Sequence, residues 1–361
     1  MIIFIYLRLF NLTEVYTPYD DIAPIAAHKG ILGDQEININ NYFLNQNYIL
    51  SEKFIHNIEN SLLYPLYIIK TTTYPIGRYF FYPFFLDDND NYNDKIFKNR
   101  IVSSIFSILS IFLLTLLLKK IDYKDNFLIL FIVSIFGFST SEILLAHHGS
   151  PYSSYTFFSL FGILLLYLLY DKKIFFLNAL IYNSILIYFS YFNILFYLPI
   201  LFISLDELKN VKKDCIKFFY QYKFKILSIF LLALPLLIIL YSKINSSINN
   251  NIIFLDLLDI SKTNNLIYDF FFRLLEVYLY FFDGLFINSI LNFNIFFSII
   301  IILSIYKIIN YFKNNNNYNI FLISLIIILC QWIILYFFNI LPLFPTRHIN
   351  FLFPIILIFI F

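Results

Sequence analysis

Glycine is scarce in this chain. There are seven in 361 residues, and none falls in a Gly-x-Gly-x-x-Gly or P-loop pattern, so soluble nucleotide-binding chemistry has no support in the sequence. Charge is scarce as well: 13% of residues are Asp, Glu, Lys or Arg, against about 25% in ordinary soluble domains. Only two cysteines occur, Cys215 in a basic stretch and Cys330 within an apolar run. Their surroundings argue against a disulfide between them, and no metal-ligand spacing exists. What fills the chain instead is apolar and aromatic: 60% hydrophobic residues, with 47 Phe and 30 Tyr. That excludes a soluble globular domain and implies a polytopic membrane protein. The heavy use of Ile, Phe, Asn, Tyr and Lys resembles an AT-rich coding bias, so single Asn and Lys residues carry little weight. The lone Trp332 and the Tyr- and Phe-rich runs read as packing and interfacial-belt residues.

A bilayer core of about 30 Å needs about 20 apolar helical residues. Met1 to Leu12 is apolar except for Arg8 and Asn11. It is short for a span and flanked wrongly for a signal peptide, so it reads as a tilted or truncated first helix, or as the end of a segment that starts upstream. Residues 18–98 are polar and mixed, with an acidic run Asp87-Asp88-Asn89-Asp90. They read as a large first loop carrying interfacial helices. Apolar runs follow over 101–118, 127–146, 155–170, 226–241, 285–306 and 320–341. The run 174–205 has 32 residues, about 48 Å of helix and too long for one span. With Asn183, Ser190 and Asn193 in its middle, it reads as two short helices turning near 190–193. Residues 206–225, with six lysines, read as a loop. The last apolar run, to Phe361, is again short. The expected fold is an all-α integral membrane protein, a polytopic bundle of about nine or ten transmembrane helices. It forms one transmembrane domain over 1–361, with 101–361 supplying the remaining helices.

Basic residues orient the bundle. One alternate set of loops holds 13 lysines, at positions 119, 120, 124, 172, 173, 209, 212, 213, 217, 223, 225, 307 and 313. The opposite set holds four basic residues, Lys243, Lys262, Arg273 and Arg347, when the first loop is left out; that loop has six, but at about 80 residues it is too long to count. The lysine-rich side is therefore cytoplasmic. The first loop, His147-His148 and Arg347-His348 then fall on the extracytoplasmic face of a multi-pass cell-membrane protein.

The candidate site collects there. Asp20 and Asp21 follow the first apolar run, where a helix meets the interface. A carboxylate there can act as a general base, and two adjacent ones can hold a divalent cation. The bland alternative is that they merely end a helix. Arg347 and Arg78 can each meet a phosphate through a guanidinium fork or simply snorkel to headgroups. His147 and His148 can shuttle a proton or bind a ligand, but neighbours in sequence do not share a helix face. Glu142 lies within an apolar run, where an acid is a functional candidate by default.

Four segments carry a family resemblance. Leu7-Arg8-Leu9-Phe10-Asn11-Leu12 with Asp20-Asp21 resembles an "R-L, then Asp-Glu" opening. Thr73-Tyr74-Pro75-Ile76-Gly77-Arg78-Tyr79-Phe80-Phe81 resembles "P-P-L-Y-Y". Asn99-Arg100-Ile101-Val102-Ser103 resembles "A-R-L-x-S". Pro345-Thr346-Arg347-His348-Ile349-Asn350-Phe351-Leu352-Phe353-Pro354 resembles "P-x-R-Y-L-L-P". In this order they resemble the GT-C membrane glycosyltransferases, in the branch of bacterial homologues of protein O-mannosyltransferases and aminoarabinose transferases. The departures are Asp21 for Glu, Tyr74 for the first proline and His348 for the tyrosine.

The resemblance implies a GT-C-like fold and transfer of a sugar from a polyprenyl-phosphate donor to a glycan, lipid or protein acceptor on the outer face. Asp20 is then the catalytic base and Asp21 its partner. Arg78, His147, His148, Arg347 and His348 are the substrate-binding candidates, and Asp20 and Asp21 the ligands of any divalent metal such as Mg or Mn. Membrane lipids are the expected surroundings and nucleic acid is not an expected partner. The competing readings are a transporter or flippase of polyprenyl-linked glycans, or a non-catalytic membrane protein.

Overall fold

The computed structural model describes residues 1–10, 12, 77, 92–121, 126–149, 152–213, 215–249, 320–337 and 347–360. Among these the secondary structure is helical, with no strand. The α-helices are α1 (Ile2–Leu9), α2 (Tyr92–Lys120), α3 (Asn126–Phe138), α4 (Thr140–His147), α5 (Tyr152–Tyr170), α6 (Phe176–Ile187), α7 (Tyr197–Ile203), α8 (Leu205–Lys213), α9 (Cys215–Asn249), α10 (Ile320–Phe337) and α11 (Phe353–Ile360). Two 3-10 segments, Tyr191–Phe196 and Arg347–Leu352, lead into α7 and α11.

Among the described residues, Ile96–Lys120 and Tyr152–Tyr170 are long and apolar enough to cross a membrane. A third span results if α3 and the helix after its break at Ser139 count as one. The described part is thus consistent with a helical membrane protein.

The chain divides into two compact units, and the division falls inside α2, α4 and α5. The first comprises Met1–Leu109 and Ile143–Ser154, the second Ser110–Glu142 and Tyr155–Phe361. In the first unit, α1 buries Phe4 and Arg8 while Ile2, Ile3, Tyr6 and Leu9 stay exposed. The two buried residues are four apart and share one helix face. The exposed face is apolar, which water would oppose and lipid hydrocarbon would not. Along α2, Ile105, Leu109, Phe112 and Leu116 form an exposed apolar row at spacings of four and three, while Ser103, Ser104, Ser107 and Ser110 are buried. Small buried residues with large outward ones are the pattern of helix packing in lipid, where close approach rather than water exclusion drives association.

Helix α2 begins at Tyr92, nine residues before the apolar run at Ile101. Asp94 in its first turn and Lys119 and Lys120 in its last match the helix dipole at both ends.

In the second unit, α5 is closed by a Schellman turn. Lys172 takes a positive φ of 56°, its N–H donates to the Leu169 carbonyl at 3.0 Å, and the Lys173 N–H donates to Leu168 at 2.8 Å. The Tyr167 hydroxyl donates to the Lys120 carbonyl, tying α5 to the end of α2.

The run 174–205 is broken as its polar middle predicts. Residues 188–190 leave the helix, and both α6 and the Tyr191–Ile203 stretch are shorter than a span. Helix α9 packs on α6: Lys225 Nζ donates to Asn178 Oδ1 at 2.8 Å and sits 5.6 Å from the Phe175 ring centre.

Residues 206–225, read as a loop from their lysines, are largely helical. The reason is charge order. Asp206 and Glu207 open α8, and their negative charge favours the dipole at that end. Lys209 Nζ lies 2.9 Å from Asp206 Oδ1 and, by that hydrogen bond, holds the Asp206 carboxyl below the usual range.

Gly162 on α5 faces the buried ring of Phe196. A Cβ added there would lie 2.8 Å from a ring carbon, closer than any stable contact. Gly162→Ala is therefore expected to destabilise the protein by about 1–3 kcal/mol through overpacking, read as a lower unfolding midpoint in detergent. A midpoint at or above wild type would show that Phe196 has room to move.

Candidate functional site

The described site residues fall into two clusters, one in each unit. The first gathers around two completely buried arginines, Arg8 and Arg100. Arg8 Nε donates to Ser107 Oγ at 2.7 Å and one of its terminal nitrogens to the Phe4 carbonyl at 3.2 Å. Arg100 donates to the Leu12 carbonyl, 88 positions earlier in the chain. Ser104 Oγ lies 2.9 Å from the Arg8 carbonyl and 2.9 Å from that of Ala146, which links α1, α2 and α4 through one hydroxyl. His147 is half-buried at the end of α4, and its Nε2 is 2.9 Å from the Leu7 carbonyl. A carbonyl only accepts, so the proton of that bond sits on Nε2. The Ser153 hydroxyl donates to Leu145 at 2.8 Å and fixes the turn behind His147.

Burying one guanidinium is costly unless its donors are engaged. Here the Ser107 hydroxyl on α2 and the Phe4 and Leu12 carbonyls of the N-terminal segment supply acceptors. The cluster therefore joins the Leu7–Leu12 segment, the Asn99–Ser103 segment and His147, all three of which the sequence singles out. His148 follows immediately after the helix. Asp20, Asp21 and Arg78 lie outside the described residues, as does most of the 18–98 loop. Among the described residues no group of three or more His, Cys, Asp or Glu side chains is placed to hold a metal ion.

The second cluster surrounds Glu142, which is completely buried in the first turn of α4. Asn350 Nδ2 donates to Glu142 Oε1 at 2.9 Å across 208 positions of sequence. Thr156 Oγ1 stands 3.5 Å from the same oxygen. Asn350 belongs to the 3-10 segment that begins with Arg347 and His348, whose side chains lie outside the described residues. The ring of Phe351 in this segment stacks on Phe192 with centres 4.0 Å apart. The segment is thus held at two points, one polar and one aromatic.

Arg8, Arg100 and Asn350 were visible in the sequence only as parts of motifs, and nothing in their local pattern marks them as buried. Glu142→Ala is expected to lower stability by about 2 kcal/mol, because it strands a buried amide donor of Asn350. Glu142→Gln, which keeps an oxygen for that amide, should lose much less. Unfolding midpoints of the two variants side by side make the check, and equal losses would count against the Asn350 bond.

No protein-family model matches this chain, and neither a curated protein sequence nor a solved structure is significantly similar to it.

Proposed function

We propose that the chain is an integral-membrane glycosyltransferase of GT-C-like, polytopic architecture. It would move a sugar from a polyprenyl-phosphate donor to an acceptor at the extracytoplasmic surface. One observation carries this reading: the buried Arg8–Arg100 cluster. It draws together the segment that runs on into Asp20-Asp21, the start of α2 and His147. Two of the four segments that resemble the family are thus joined through side chains that a lipid-facing helix has no reason to carry.

The transfer needs a base for the acceptor hydroxyl, positive charge for the departing phosphate, and access for a lipid tail. Asp20 would take the hydroxyl proton as the acceptor oxygen bonds to the anomeric carbon. The bond from that carbon to the phosphate oxygen would break, and the electron pair would leave with the polyprenyl phosphate. Arg347, with Arg78, His147, His148 and His348, would meet the phosphate and sugar. A Mg or Mn ion on Asp20 and Asp21 would add charge balance for the phosphate.

The test is sugar release from a polyprenyl-phosphate-hexose donor by the purified protein in detergent with lipid. Turnover with the lipid donor but none with a nucleotide-sugar donor is the expected result. No turnover with any polyprenyl-phosphate sugar, by a folded protein, would overturn the reading. A flippase of polyprenyl-linked glycans is the second reading, and the helix break at Ser139 beside buried Glu142 favours it, since carriers place polar groups at interrupted helices. Movement of the labelled glycolipid across a vesicle membrane without sugar release would select it.

A further inference from the structure

The proposed transfer chemistry does not use the break in the 174–205 run, where the structure gathers polar groups in an otherwise apolar region. Asn183, Ser190 and Asn193 are all completely buried. Asn183 Nδ2 donates to the Asn193 carbonyl at 3.0 Å, and the Asn193 N–H donates to the Ser190 carbonyl at 3.0 Å. Asn193 Nδ2 donates to the Phe158 carbonyl on α5 at 3.1 Å. These three bonds tie the polar residues of the break to one another and to α5. Each amide nitrogen makes one of these bonds, and the side-chain oxygens are left over. Asn183 Oδ1, Asn193 Oδ1, Ser190 Oγ and the neighbouring Ser159 Oγ are buried and have no hydrogen-bond partner among the described residues.

An oxygen acceptor left dry in an apolar region costs as much as a lost hydrogen bond. Here four such atoms lie on residues that are hydrogen-bonded to one another or adjacent in sequence. Their complete burial excludes an occupant as large as a sugar. The chemistry they ask for is a small, enclosed donor of positive charge. The C-terminal end of α6 at Ile187 lies directly before the break, and a helix C-terminus carries partial negative charge. Neutral hard oxygens with a helix end, and no carboxylate among the residues named, suit a monovalent cation better than a divalent one, which usually takes carboxylates. Interrupted membrane helices bind sodium ions in this way, through half-helix ends and unwound backbone.

We infer that the break between α6 and the Tyr191–Phe196 segment is a structural sodium-ion site, formed by Asn183, Ser190 and Asn193 with backbone carbonyls of the turn. The ion locks the two half-length helices together. The inference is independent of the glycosyl-transfer reading, and its test measures no sugar transfer.

The experiment compares unfolding midpoints of the purified full-length chain in sodium, potassium and choline chloride at one ionic strength. The ion binds only the folded state, so sodium should raise the midpoint saturably, by about 3 °C or more over choline. Ser190→Ala removes one oxygen with almost no change in volume. It should keep the choline midpoint and need at least ten times more sodium for the same gain. Asn193→Ala should abolish the gain, and if that variant does not fold, Ser190→Ala decides alone. Equal midpoints in all three salts would mean that water alone satisfies these oxygens, and the inference would fall. It would fall equally if the sodium gain were unchanged in Ser190→Ala.

Discussion

Asp20→Asn is expected to lower sugar transfer at least a hundredfold while leaving membrane insertion and the unfolding midpoint unchanged. The argument is chemical. Asparagine has the shape of aspartate but cannot accept the proton of an acceptor hydroxyl, and a positioned base contributes about 10²–10⁴ in rate. Asp21→Asn should have a smaller effect, since in this reading Asp21 assists rather than takes the proton. Turnover of the two variants, measured with the same donor, ranks the carboxylates directly. Full activity in Asp20→Asn would remove Asp20 from the chemistry, and a larger loss in Asp21→Asn would exchange their roles.

Arg100→Ala should be the most damaging of the structural changes. Arg100 is completely buried and donates to the Leu12 carbonyl. A hydrogen bond to a charged group contributes about 1.5–3 kcal/mol, and its loss strands a buried carbonyl and opens a cavity. A loss of about 3 kcal/mol follows, a large part of a typical stability of about 5–15 kcal/mol. Arg100→Lys should recover little, because an ammonium on a flexible stem cannot reproduce the planar fork. Thermal unfolding in detergent makes the measurement. An unchanged midpoint would mean that the buried cluster adds nothing to the fold, and with it would go the main support for the proposed site.

How much could be read beforehand differs from segment to segment. Helix α5 was legible because its apolar run ends in Asp171-Lys172-Lys173, and the structure closes the helix in that turn. The break in 174–205 was legible from length and three polar residues. The start of α2 was not, because Tyr92 to Arg100 is polar and hydropathy cannot separate a polar helix from a loop. Helix α8 was misread for the same reason: its lysines marked it as a loop, while the acidic pair in its first turn favours a helix.

At the site, Glu142 stood out as an acid within an apolar run, but its partner Asn350 lies 208 positions away. Arg8 and Arg100 were read as motif letters and not as buried groups. Burial is a property of what packs against a residue, and their acceptors come from segments 99 and 88 positions distant. No local pattern carries that information.

The same separation bears on how the protein is made. Arg8 leaves the ribosome with α1, yet the segments that enclose its cluster end with His147, 139 positions later. At roughly 5–20 residues per second, synthesis of that stretch takes on the order of 7–28 s. During that interval α1 carries a guanidinium that hydrocarbon would reject. The helix must wait at the interface or in the shelter of the insertion machinery until α2 and α4 arrive. The first unit therefore closes late although α1 precedes the helices that enclose it, and α1 docks into a groove completed by later segments instead of templating them.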